Sequence, residues 1–167
     1  TGALMDQWKQ SNADSEVSIS ILHQDALGLS AGRMNALGAA QGEWVAITDI
    51  DVRPEQDWIE HLLLANEPVG EETIVAITGR TIFQTHTDIV SRFRAVEIAS
   101  KYRSRPRRTS LANGPCSMFK RQALLDAGGF DPTWYHAEDM EVSLRLLNQG
   151  GSIVYLSLIH ISEPRDQ

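Results

Sequence analysis

The chain has 167 residues with 42% hydrophobic and 22% charged content, enough to bury one substantial core and typical of a globular domain. A formal net charge of −7 argues against generic nucleic-acid binding. The single cysteine, Cys116, excludes an internal disulfide framework and suits a reducing compartment, and no apolar run approaches a membrane span.

In chain order, Leu4, Met5 and Trp8 fall at helical spacing, and "VSISILH" (17–23) alternates as a strand. "SAGRMNALGAAQG" reads as a small-residue helix ending near Gly42. "EWVAIT" then gives a short buried strand, and "PEQDWIEHLLLAN" a helix with Pro54 in its first turn and Glu55 and Asp57 at its positive end. "TIVAITGRTIF" predicts another strand and "TDIVSRFRAVEIASKYR" a long amphipathic helix, followed by the basic loop "RSRPRRTS". "NGPCSMF" reads as a strand, "KRQALLDAGG" as a helix closed by Gly128 and Gly129, "EDMEVSLRLLNQGG" as a helix and "SIVYL" as a last strand. Strands alternating with helices predict an α/β domain with a mostly parallel sheet, whose ligands bind beyond the carboxyl ends of strands.

One such end carries Asp49 and Asp51. Two residues apart in extended backbone, they project to the same side, and hard carboxylate oxygens suit Mg2+ or Mn2+. The plain alternative is a solvated turn whose acids favour the next helix. The tail 157–167, "SLIHISEPRDQ", breaks the domain pattern and reads as sequencing-adapter translation rather than native protein; a short real strand is the alternative, and His160 is given no role.

The segments "GRMNALGAAQGEWVAITDID", "ANGPCSMFKRQALLDAGGFD" and "HAEDMEVSLRLLNQGG" together resemble family 2 glycosyltransferases over residues 1–156. The resemblance implies a GT-A fold and inverting sugar transfer from a nucleotide-sugar donor to an acceptor hydroxyl or phosphate. It implies that Asp49 and Asp51 bind metal and donor diphosphate, with Arg33 as the upstream arginine. Met34 stands where the family has asparagine, and Asn35 follows. Asn113 and Gly114, before Lys120 and Arg121, match the small-residue strand on the substrate side. Gly128 to Asp131 match a Gly-Gly-Phe-Asp turn, and Glu138 and Asp139 an acidic pair. On this resemblance the family's first strand and base-reading aspartate precede Thr1, so the fragment is expected to bind donor weakly and to be inactive alone.

Asp139 is then the expected general base, Glu138 its substrate-side neighbour, and a cation would neutralise the leaving diphosphate. An acid that merely caps its helix is the alternative. Arg33 suits bidentate contact with phosphate, or else a surface salt bridge. Trp134 and Tyr135 suit stacking on an acceptor sugar, or loop anchoring. His136 reads as exposed and Cys116 as a small buried side chain. Residues 92–108 place Arg92, Arg94, Lys101, Arg103, Arg105, Arg107 and Arg108 against one acid, Glu97, with Ile89, Phe93, Val96 and Ser100 forming a stripe. That segment suits peripheral contact with an anionic membrane or a lipid-linked acceptor, or a solvated surface helix. The implied location is the cytoplasm or the cytoplasmic membrane face. Rival functions are a sugar nucleotidyltransferase, disfavoured by the Glu138–Asp139 pair, and a non-catalytic module binding membrane or polyanion.

Overall fold

The computed structural model describes residues 2–82, 88–112 and 114–156. Asn113 and the suspected tail 157–167 lie outside them. Helices α1 (Gly2–Ser11) and α2 (Leu29–Ala39) precede strand β1 (Trp44–Ile47), followed by α3 (Trp58–Leu64), β2 (Ile74–Thr78), α4 (Ile89–Arg103) and β3 (Arg108–Thr109). A single 3-10 turn, Gly114–Cys116, leads into β4 (Ser117–Lys120), α5 (Arg121–Asp126), α6 (Glu138–Asn148) and β5 (Ser152–Tyr155). Among the described residues no helix is long and apolar enough to cross a membrane.

The five strands form one sheet in the order β1-β4-β2-β5-β3. Among the described residues only β2 and β5 pair in parallel; β4 runs antiparallel between β1 and β2, and β3 is antiparallel to β5. The sheet is therefore mixed rather than mostly parallel. β1, β2 and β5 do share one direction, as helical crossovers require, because β1 and β2 are each antiparallel to β4. The insertion of β4 is what strand–helix alternation could not show.

Side-chain alternation along the strands builds two cores. Leu37, Val75, Phe119, Leu124, Val142, Leu146 and Ile153 close one face beneath α2, α5 and α6, with Phe130 set edge-on to Phe119 at 6.1 Å. Leu62, Ile74, Ile77, Met118 and Val154 close the other beneath α3. Neighbours such as Met118 and Phe119, or Ile153 and Val154, go to opposite faces, the period-2 signature of a doubly covered sheet.

Several expected elements differ. Residues 17–23 form no strand and Val17 is exposed: alternation supplies a face, but a strand also needs a ladder partner. α3 begins at Trp58 rather than Pro54, because proline biases Arg53 away from helical backbone and a turn closes from Trp58 N–H to the Glu55 carbonyl (3.2 Å). The expected strand over "NGPCSMF" starts only at Ser117, after the 3-10 turn, and the basic loop contains the two-residue edge strand β3.

A candidate active site at the carboxyl end of β1

Register brings the expected residues together. Ser117, first in β4, faces both Ile47, last in β1, and Thr78, last in β2. The 3-10 turn before β4 therefore sits at the end of the sheet where β1 releases Asp49. α6 precedes β5 and runs back against it, so its first turn, Glu138 and Asp139, arrives at the same end. The entry to α6 is sharp: Ala137 adopts left-handed backbone at φ 60°.

Arg33 is the hub. It projects from α2 with its side chain only 9% exposed, donating from Nη2 to Asp49 Oδ1 (3.1 Å) and from Nη1 to Glu138 Oε1. Its guanidinium also lies over the Phe130 ring, 5.7 Å from the centroid. The expected surface salt bridge is thus a buried one: Glu138 is 8% exposed, and only Asp49, at 37%, reaches solvent. Phosphate contact by Arg33 would share a cation already placed between two carboxylates.

Asp139 is held by backbone. Its Oδ2 accepts from Gly114 N–H (3.0 Å) and its Oδ1 from Met140 N–H (2.8 Å). Gly114 is buried, and a Cβ there would meet Arg33 Nη2 at 3.2 Å and Asp139 Oδ2 at 3.5 Å. Arg33, Asp139 and Gly114 therefore surround one small volume, where a Cβ would crowd the Arg33 guanidinium and only touch Asp139.

Asp51 is exposed. Residues 49–52 form a turn closed by Val52 N–H to the Asp49 carbonyl (3.1 Å), so the same-side argument from extended backbone does not hold. Among the described residues no group of three or more His, Cys, Asp or Glu could hold a metal ion. The described residues therefore offer no closed protein cage, and a cation here would have to draw most of its ligands from phosphate and water.

Trp134 and Tyr135 are both exposed on the loop before α6, with Tyr135 edge-on against His136 at 4.5 Å. His136 is exposed and Cys116 buried, as expected, and burial pushes the Cys116 thiol up. Three supporting side chains escaped the sequence reading. Ser30 Oγ donates to the Trp134 carbonyl (2.7 Å), pinning this loop to α2. Ser143 Oγ donates to the Asp139 carbonyl (2.5 Å) and accepts from Ala112 N–H (3.1 Å). Arg145 reaches the Ala127 and Gly129 carbonyls while pairing with Glu141, locking the Gly128–Gly129 turn. Only Arg145 left a signal, the i,i+4 spacing to Glu141.

The chain spans less than a third of the curated relatives it matches: the pre-mycofactocin glycosyltransferases of two Mycobacterium tuberculosis strains (CDC 1551 / Oshkosh and ATCC 25618 / H37Rv) are each 27% identical over 140 residues, covering 80% of this chain and 29% of theirs. Among solved structures, the mannosyltransferase PcManGT from Pyrobaculum calidifontis, in complex with GDP-Man and Mn2+, is similar with a TM-score of 0.63 at 19% identity, over 94% of this chain and 42% of that one. TarS of S. aureus is similar with a TM-score of 0.59 at 16% identity, over 94% and 28%. These likenesses give the GT-A fold. The family model "Glycosyl transferase family 2" matches residues 1–128, and the chain belongs to that family.

Proposed function

We propose that residues 1–156 are part of the GT-A domain of a metal-dependent, inverting glycosyltransferase that moves a sugar from a nucleotide-sugar donor to an acceptor hydroxyl or phosphate. The observation that carries this reading is the meeting of Asp49, Arg33, Gly114, Glu138 and Asp139, drawn from four separate elements, at one end of the sheet.

In this reading Asp139 is the base. Its two backbone N–H contacts fix the carboxylate, one on each oxygen, and leave lone pairs on both to accept the proton of an acceptor hydroxyl. The acceptor oxygen forms a bond to the anomeric carbon while the bond from that carbon to the donor phosphate breaks on the opposite face. The acceptor proton passes to Asp139, and the nucleoside diphosphate leaves. Asp49 and Asp51 would hold Mg2+ or Mn2+, which when bound offsets charge on the leaving diphosphate. Arg33 keeps Asp49 and Glu138 from repelling one another before donor arrives, and Trp134 and Tyr135 offer exposed rings to a glycan or lipid-linked acceptor. Residues 157–167 have no part in this reading, which places the enzyme in the cytoplasm or on the cytoplasmic membrane face.

The test is thermal melting with UDP or GDP, each with Mn2+ or with EDTA. A metal-dependent rise in Tm with one nucleotide that disappears in Asp51→Asn supports the diphosphate site. Asp139→Asn should keep that rise and lose transfer when the domain is assayed in its full-length protein. A cooperative melt unmoved by every combination would remove the metal reading of Asp49 and Asp51.

A further inference from the structure

α4 has two apolar faces, and only one packs on the protein. At 100° per residue, Ala95, Ile98, Ala99 and Tyr102 fall on the side turned to the sheet; Tyr102 is buried and stacks on Tyr155 at 6.0 Å, and the other three are partly covered. On the opposite side Ile89, Val90, Phe93 and Val96 are 82%, 75%, 72% and 70% exposed, a continuous apolar stripe over the first two turns. Such a cluster on one outward face departs from the scattered apolar exposure of an ordinary surface.

The charges flank this stripe on both sides. Arg92 and Arg103 border one edge, and Arg94 and Lys101 the other. Glu97 is the one acid on the helix; it lies in the outward sector one turn past Phe93, just beyond the apolar stretch, and pairs with Lys101 at 2.9 Å. The basic residues that follow turn back to the protein: Arg105 lies over the Tyr102 and Tyr155 rings, and Arg107 and Arg108 bind Glu72. The outward charge therefore belongs to α4 itself, and it stands out in a chain of net charge −7.

We propose that α4 lies on an anionic lipid surface, with Ile89, Val90, Phe93 and Val96 entering the headgroup boundary and Arg92, Arg94, Lys101 and Arg103 contacting lipid phosphates. Apolar side chains between two basic borders match that interface layer by layer. A second copy of the helix matches it poorly, because pairing two such stripes sets arginine borders against each other with only Glu97 to offset them. This inference goes beyond the proposed glycosyl transfer and does not depend on it.

The test is co-sedimentation of the chain with vesicles of phosphatidylcholine alone or mixed with phosphatidylglycerol, at low and high salt, alongside sedimentation velocity of the protein without lipid. Binding to the mixed vesicles only, weakened by salt, is expected. Phe93→Ser with Val96→Ser should weaken it about tenfold or more, since two half-buried apolar side chains no longer enter the boundary. Arg92→Gln with Arg94→Gln should weaken it by a similar factor while flattening its salt dependence. All four positions are exposed, so the variants should melt like the parent. Absence of binding to the mixed vesicles would overturn the proposal. So would binding indifferent to the Phe93 and Val96 changes, or a lipid-free dimer that dissociates when those two are replaced.

Discussion

Replacing Arg33 by methionine keeps the bulk of the side chain and removes the cation between Asp49 and Glu138. Glu138 is as buried as Arg33 itself, so its carboxylate would lose its partner without regaining water. Breaking a buried pair from one side costs about 3 kcal/mol or more; for a chain of this size 3 kcal/mol is about 6–12 °C in Tm. Glu138→Gln should cost less, about 1–2 kcal/mol, because its amide oxygen still accepts from Arg33 and Asp49 still faces the guanidinium. The double variant removes both charges and should cost at least about 1 kcal/mol less than the two singles added together. Urea unfolding of all four proteins, followed by circular dichroism, gives the cycle. Additivity within about 0.5 kcal/mol, or an Arg33→Met cost below about 1 kcal/mol, would refute the view that this pair is buried and coupled.

Gly114→Ala should leave Tm within a few degrees of the parent yet cut transfer by the full-length protein about tenfold or more, because the new Cβ crowds the Arg33 guanidinium beside Asp139; unchanged steady-state kinetics would contradict that placement. Gly129→Ala should destabilise by about 2 kcal/mol or more, since its φ is +67° and a Cβ would lie 2.4 Å from Met34 Sδ, which a urea midpoint would register. Glu72 gives a pH signature. Val69 N–H, then Arg107 and Arg108, hold its carboxyl down to about 2 from the ordinary 4.5. The unfolded chain then binds the proton more readily than the folded one, so the stability this carboxylate contributes is full above about pH 4.5 and is lost as pH falls towards 2. Glu72→Gln should flatten that part of the stability–pH curve, and an unchanged slope would dismiss the assignment.

Much of this architecture was legible because local rules reported it. The segment "EDMEVSLRLLNQGG" announced α6, whose buried apolar face is Val142 and Leu146 while Met140 and Leu144 stay half exposed; Gly128 and Gly129 announced the end of α5, and the family resemblance pointed to Asp49, Gly114 and Asp139 together. Pairing direction was not legible, since "SMFK" reads alike whether it runs with or against its neighbours. The strand expected at 17–23 failed for a related reason: alternation describes one strand, whereas pairing is a property of two. Arg33 reads in sequence equally as a phosphate contact or a surface salt bridge, because its two carboxylate partners lie 16 and 105 residues away, separations that no local pattern encodes. Ser30 and Ser143 left no mark at all, since a buried hydroxyl bonded to backbone looks in sequence like any other serine.

The placement of β4 between β1 and β2 also bears on when the site can exist. As the chain leaves the ribosome, Asp49 and Arg33 emerge early, but Gly114 reaches them only once β4 has threaded between two strands made before it, and Asp139 only after the turn at Gly128–Gly129 has closed. Each joining contact spans a long stretch of chain, the kind that forms late and slowly. Until then Arg33 has Asp49 alone for company, and a synthesis interrupted before residue 138 would leave the sheet without β5 and Arg33 without its Glu138 partner.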